Sequence, residues 1–208
     1  MARDYVSSDY HLGHGRINEY ANRPFKSPDD ANARIIANHN MRIKDDDIFY
    51  HVGDFCFKSG PNCMKAEDWL KQLNGRKVMI RGNHDNNNSL KTIIDSVYVT
   101  FANRSIKMVH KPEHSDPNVD INLVGHVHNA WRIRTFRQHY DIIESIVYNK
   151  LDKPSDRQDL VTFLNTQKMN RRSTSVILNV GLDVQKYYPI TLDEVITQVS
   201  EFKKLNNI

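Results

Sequence analysis

Cysteine is scarce. Only Cys56 and Cys63 occur in 208 residues, too far apart for a Cys-x-x-Cys site and too few for a disulfide framework. A reducing, intracellular setting is therefore expected. Long apolar runs are also missing, and nothing approaches the roughly 20 residues a membrane-spanning helix needs. The first residues, Met1-Ala2-Arg3-Asp4-Tyr5, carry charge where a secretory signal needs an apolar core. These absences predict a cytoplasmic protein with no membrane partner. No internal repeat or low-complexity tract is present. The formal net charge is only +4, a modest excess that favours polyanionic partners without demanding them. What the chain does have is length enough for a single unstapled domain over residues 1–208, and ten histidines, several of them beside glycine.

Apolar periodicity alternates strand and helix early and pairs strands late. Tyr5-Val6-Ser7-Ser8 reads as a strand ending at Asp9. Ser27, Pro28 and Asp30 predict a helix start, with Ala33, Ile36 and Ala37 on its apolar face. A strand from Asp47 to Val52 runs into Gly53-Asp54, and a helix from Met64 to Leu73 stops at Asn74-Gly75. Lys77 to Ile80 delivers Gly82-Asn83-His84-Asp85. Val97 to Ala102 and Ser105 to Val109 predict a hairpin that turns at Asn103-Arg104 and ends at His110. Ile121 to Val124 leads into Gly125-His126-Val127-His128, and Ser175 to Val180 is the last clear strand. Thr191 and Glu194 predict a capping box, with Ile190 placed to staple onto Val195. The pattern implies an α/β (α+β) layer fold with mixed sheets. Residues 129–174 differ in character. Helical spacing at Ile142, Ile143, Ile146, Val147 and Leu151, then from Asp156 to Asn170, predicts a helical insertion or cap.

Chemistry concentrates in the pieces that follow strands: Asp9-Tyr10-His11, Gly53-Asp54, Gly82-Asn83-His84-Asp85 and Gly125-His126-Val127-His128. An isolated Asp-x-His or Gly-Asp says little, while Gly-Asn-His-Asp is more specific. Carboxylate, amide and imidazole donors converging from separate strand ends suit two cations that share ligands and leave room for water and substrate. Glycines before Asp54, Asn83 and His126 are expected to permit unusual backbone angles and close approach. The donor mix suits Mn, Fe, Zn or Ni better than Ca. Structural zinc sites use Cys or His at short paired spacings, which this chain lacks.

In this order the motifs resemble the calcineurin-like metallophosphoesterase superfamily, in its small bacterial and phage-type members. The resemblance covers Asp4 to about His128 and resumes at Asn179-Val180-Gly181 and Pro189. It implies a four-layer αββα sandwich, two mixed β-sheets face to face with helices outside. It further implies that Asp9, His11 and His128 hold one divalent metal, that Asn83, His110 and His126 hold a second, and that Asp54 bridges them. Manganese is the leading expectation. The implied activity is hydrolysis of a phosphomonoester or phosphodiester by a hydroxide held between the metals. His110 is favoured over His114 because it terminates a strand. His84 is not expected to be a ligand; it would protonate the leaving group, oriented by Asp85. The protein-phosphatase branch carries an Asp three residues after the bridging one, where this chain has Phe57, which argues against that branch.

Substrate residues are less sharply marked. Arg81 either forks onto a phosphate or faces solvent at a strand end. His14 and His51 either orient ligands or are hydrogen-bonded loop and strand histidines. Trp131, Phe136 and Tyr140 interleave with Arg132, Arg134 and Arg137, which suits stacked bases and phosphates. Alternatively the aromatics anchor the insertion and the arginines are solvated. The expected substrate is a nucleotide or single-stranded nucleic acid, bound by Arg81, Arg132 and Arg134. A non-catalytic interaction scaffold on the same fold is the competing reading, disfavoured by the full donor set and by His84.

Overall fold

The direction of the central strands decides where the site forms. The computed structural model describes residues 2–57, 64–85, 89–142 and 174–208. In the first sheet β1 (Asp4–Ser7), β2 (Ile48–Val52) and β3 (Arg76–Ile80) run parallel, Val6 facing Tyr50 and His51 facing Met79. The second sheet holds β4 (Ser96–Phe101), β5 (Arg104–Val109), β6 (Ile121–Val124), β7 (Ile133–Thr135) and β8 (Val176–Asn179). Here β5, β6 and β8 are parallel, and β4 and β7 close the edges in antiparallel fashion, in the order β4-β5-β6-β8-β7. A short β9 (Ile190–Thr191) joins the first sheet antiparallel to β1, giving β3-β2-β1-β9. Both sheets are mixed. Parallel neighbours share a C-terminal edge, and crevices outside such edges are where α/β sheets present ligands.

Side chains alternate across the two sheets and so divide the apolar residues into layers. Val6, Val52, Ile80, Ile106, Met108, Ile121, Leu123, Val176 and Leu178 fill the space between the sheets. On the outer face of the first sheet Tyr5 and Phe49 meet Ile35 and Trp69. These come from α2 (Pro28–Arg42) and α3 (Ala66–Leu70), which follow the single-turn α1 (Ile17–Tyr20). Outside the second sheet Val109, Val124 and Ile177 receive Phe136, from a helix α4 that occupies 136–142. The αββα layering is thus present. A last helix, α5 (Leu192–Asn206), adds Val195 and Val199 to the core between the sheets, in the cluster that also holds Ile190. Its start is the predicted capping box, with Thr191 accepting from the Glu194 N–H and Glu194 from the Thr191 N–H.

Local departures from the expected elements have physical causes. Ser27 caps α2 as expected, but Asp30 turns to the Lys26 N–H. The buried face of α2 is Ala31, Ile35, Asn38 and His39, with the expected Ile36 packed at its edge, while Ala33 and Ala37 face outward. The polar members of that face are satisfied. His39 bridges the Tyr10 hydroxyl at 2.9 Å and the Asn74 carbonyl at 3.0 Å, and Asn38 donates to the Tyr187 carbonyl. Burial without a countercharge lowers His39 to a pKa of about 4 and keeps it neutral there. The hairpin turns one residue earlier than expected, at Ala102 and Asn103, whose φ of 46° and 58° match the left-handed pair a two-residue turn demands. The 129–174 segment contributes β7 and α4, and its expected later helices lie outside the described residues. Among the described residues, no helix is long and apolar enough to cross a membrane.

Leu123 sits fully buried between the sheets on a strand that ends at the His126 loop. Leu123→Ala is expected to cost about 2–5 kcal/mol. Urea unfolding followed by circular dichroism would read this as a lower midpoint at unchanged slope.

Candidate metal centre

Five of the six parallel strands hand the chain to a loop carrying candidate ligands at the shared edge. β1 gives Asp9 and His11, β2 gives Asp54, β3 gives Asn83, β5 gives His110, and β6 gives His126 and His128. Two clusters result. Asp9, His11 and His128 bring donor atoms within 4.8 Å of one another, and so do Asp54, His110 and His126. The Asn83 side-chain oxygen joins the second cluster, 3.0 Å from His110 Nε2. One oxygen of Asp54 stands between the clusters, with Oδ2 3.6 Å from His11 Nε2 and 3.3 Å from His110 Nε2.

The backbone is forced to aim these side chains inward. Asp9, His11, Asp54, His126 and His128 have φ of 58°, 51°, 58°, 71° and 45°, left-handed values that cost roughly 1–3 kcal/mol each for such residues. Of the three glycines expected to relieve this, only Gly53 has positive φ; the strain falls on the ligands themselves. Gly82 instead makes room, since a Cβ there would overlap the Asp54 carboxylate and N–H. Cross-loop bonds hold the turns in place. The Asp9 N–H donates to the Gly53 carbonyl at 3.0 Å, His11 to Asp54 at 3.1 Å, and the Ser8 hydroxyl to Val52 at 2.7 Å.

Asp85 links two loops. Its carboxylate accepts the backbone N–H groups of Asp54, Phe55 and Gly82 at 2.8, 3.0 and 2.8 Å, tying the β2 and β3 loops together. His84 donates its own N–H to Asp54 Oδ1 at 2.9 Å and leaves a half-exposed imidazole at the rim. His51 lies in a buried aromatic cage of Tyr10, Phe49 and Phe55, away from the orienting role considered for it. Burial there holds it neutral, near a pKa of 3. Arg81 forks onto Asp95 at 3.0 Å and lines a cleft of about 580 Å³ with Asn83, His110, Lys111 and His114. Arg132 and Arg134 are committed elsewhere. Arg132 bonds Gln198 on α5, and Arg134 stacks on Trp131 at 4.6 Å.

Three supporting residues escape the motifs. Asp183 accepts from His128 Nδ1 at 2.8 Å, which leaves Nε2 for the cluster. Arg23 pairs with Asp183 at 2.8 Å and donates to the Asp9 and Tyr10 carbonyls, all of it buried. Asn179 donates to the His128 and Trp131 carbonyls. Each is a lone residue in its own stretch, and only the Asn-Val-Gly run around Asn179 hinted at a role.

The residues fit divalent metal. Among the described residues, neither nitrogen of the buried His11 ring finds a hydrogen-bond partner, a costly state that coordination would relieve. Burial also drives His11 well below the ordinary histidine range, so the ring is neutral and able to ligate. Burial would raise the Asp54 carboxyl, but the His110 and His11 rings and the His84 N–H hold it well below the usual carboxylate range.

No family model matches the chain. Over all 208 residues it is 28% identical to the uncharacterized protein MJ1445 of Methanocaldococcus jannaschii, covering 97% of that protein. It is 24% identical over 152 residues to the Gene 66 protein of Mycobacterium phage L5, a match spanning 64% of this chain and 72% of the phage protein. The crystal structure of AQ665, a protein of unknown function from Aquifex aeolicus, superposes with a TM-score of 0.60 at 21% identity. That match covers 95% of this chain and 100% of the Aquifex one. The fold is shared with the Aquifex protein. None of these three names states an activity, so function has to be argued from the centre itself.

A metal held by these residues would compete with a proton. Burial disfavours the charged His110 ring, yet the Asp54 and Asp9 carboxylates more than offset it and raise His110 from 6.5 to about 9. Metal affinity is therefore expected to climb with pH across that interval and to weaken below it. Competition with a chromophoric chelator at several pH values measures this; a flat profile would contradict it.

Proposed function

We propose that the protein is a two-metal phosphoesterase of the calcineurin-like type, acting on a nucleotide or single-stranded nucleic-acid phosphoester. The observation that carries this reading is the single Asp54 oxygen set between two donor clusters, the arrangement a shared-ligand pair of cations needs. The unpartnered His11 ring supports it. When bound, two such cations supply an acidified water and screen the phosphoryl charge. Manganese is the first proposal, and Fe, Zn and Ni suit the same donors.

The remaining work belongs to side chains of this protein. His84 presents its ring at the rim, with Nε2 3.9 Å from Asp54 Oδ2, and donates a proton to the leaving oxygen. Arg81, held by Asp95, together with Lys111 and His114 gives the neighbouring cleft N–H donors for the phosphoryl oxygens or for a second substrate phosphate. A purely scaffolding role finds no support in so complete a donor set.

The deciding experiment is a panel assay with Mn, comparing aryl monoesters, aryl diesters, cyclic nucleotides and single-stranded oligonucleotides. Because Asp54 belongs to both clusters, Asp54→Asn is expected to lower bound metal at both sites and to remove most activity. Element analysis before and after chelation is the check, and undiminished hydrolysis by metal-free protein would sink the reading.

His84→Ala is expected to keep its metal and lose roughly 10²-fold or more on nucleoside leaving groups, because proton donation matters most for a poor leaving alkoxide. Nitrophenyl esters should suffer less. Equal losses on both substrate types would count against His84 as the acid.

A further inference from the structure

The rings picked out by the sequence at 131–140 turn inward. Phe136 is buried against Val109, Val124 and Ile177, with Trp131 and Tyr140 packed beside it. A different set of rings stands at the mouth of the centre. His14 packs on Phe57 with centroids 4.3 Å apart, and Phe57 lies 5.9 Å from His84. Tyr20 meets His14 edge-on at 6.0 Å, is 62% exposed, and carries the Arg16 guanidinium over its face at 4.8 Å. So large a ring, still 62% exposed although Arg16, itself paired with Glu19, lies over one face, leaves apolar surface at the mouth of the centre.

These rings are held in register with the ligands. His14 follows His11 and Phe57 follows Asp54 by three residues in each case. The two loops are joined by the Leu12 to Cys56 bridge and by the Phe57 N–H donating to the Leu12 carbonyl at 2.9 Å. The position of His84 sets the polarity. Its ring is 5.4 Å from His11 on one side and borders Phe57 on the other, so a leaving group that takes its proton lies over Phe57 and His14. The cleft lined by Arg81, Asp95, Lys111 and His114 adjoins the other cluster, at Asn83 and His110.

The geometry points to an aromatic platform of differently tilted rings, Phe57, His14 and Tyr20, that receives the base of a nucleoside leaving group by face and edge, with Arg16 fixing the Tyr20 ring. This rests on the phosphoesterase reading and adds to it the side from which the nucleoside departs. Stacking on aromatic side chains is tolerant of base identity, so the platform selects for a base without selecting which one.

The test uses the metal-loaded protein and two uncleavable phosphonate probes, the methylene analogues of adenosine monophosphate and of ribose phosphate. Titration calorimetry is expected to find the adenosine probe bound about tenfold or more tightly than the ribose probe. Tyr20→Ala, at an exposed position, and Phe57→Leu, which keeps an apolar side chain, should each shrink that ratio; Tyr20→Phe should restore it. A ratio near one in the parent protein, or a ratio that both ring variants leave intact, overturns the platform. The ester panel run alongside separates the two proposals. Hydrolysis with a ratio near one removes the platform alone, whereas a ring-dependent ratio in a protein that cleaves none of the esters keeps the platform and removes the phosphoesterase.

Discussion

Everything around the centre answers to one buried negative charge, the Asp54 carboxylate. A lone carboxylate so placed would be neutralised or expelled, because burial of an unpaired charge costs several kcal/mol. Here one oxygen faces two imidazoles, while the other takes a backbone N–H from His84. The strand that carries it is central in its sheet, flanked by β1 and β3, which lets ligand loops approach from both sides. Asp85 secures the turn through the backbone N–H groups of Asp54, Phe55 and Gly82. That division of labour explains two acidic residues so close to the same loop: one is left free to meet cations, and the other is consumed by backbone donors.

A second buried charge serves the first cluster. Asp183 sits between Arg23 and His128, held below the usual carboxylate range by both despite its burial. Its benefit is orientation more than stability, since a buried ion pair repays little beyond its own desolvation while a half-pair would be strongly unfavourable. Through Arg23 the same group reaches the carbonyls of Asp9 and Tyr10. The strained turn that carries two ligands is thereby anchored by residues remote from it in the chain.

The motif residues were legible because each is a local event: a strand, a turn and a ligand next to one another. The same holds for the α5 cap, where Thr191 and Glu194 are neighbours on one turn. Arg23, Asp183 and the buried face of α2 were not legible, because their roles are created by partners far along the chain. His39 on α2 reads as polar and outward until Tyr10 and Asn74 are seen to meet it. The rings and arginines of 131–140 left two readings open, because composition cannot say which face is covered; Phe136 follows the anchoring one, packed in the core. Meanwhile His14, Tyr20 and Phe57 lie in separate stretches, and only the pairing of two loops makes them one surface.

The small strand β9 has a consequence for how the molecule comes to exist. It pairs with β1, and Gly181 bridges Ser8, so residues near 181–191 complete the sheet that residues 4–8 begin. β8, a few residues earlier, belongs to the other sheet. The late part of the chain thus stitches both layers, and the earliest ligands, Asp9 and His11, wait for it. Contacts of such long sequence separation are slow to form, because the loop must close before any of them is rewarded. On a ribosome, the first half of this chain would emerge with its acidic and imidazole groups assembled around nothing. On the two-metal reading, cation capture would be coupled to completion of the fold rather than precede it.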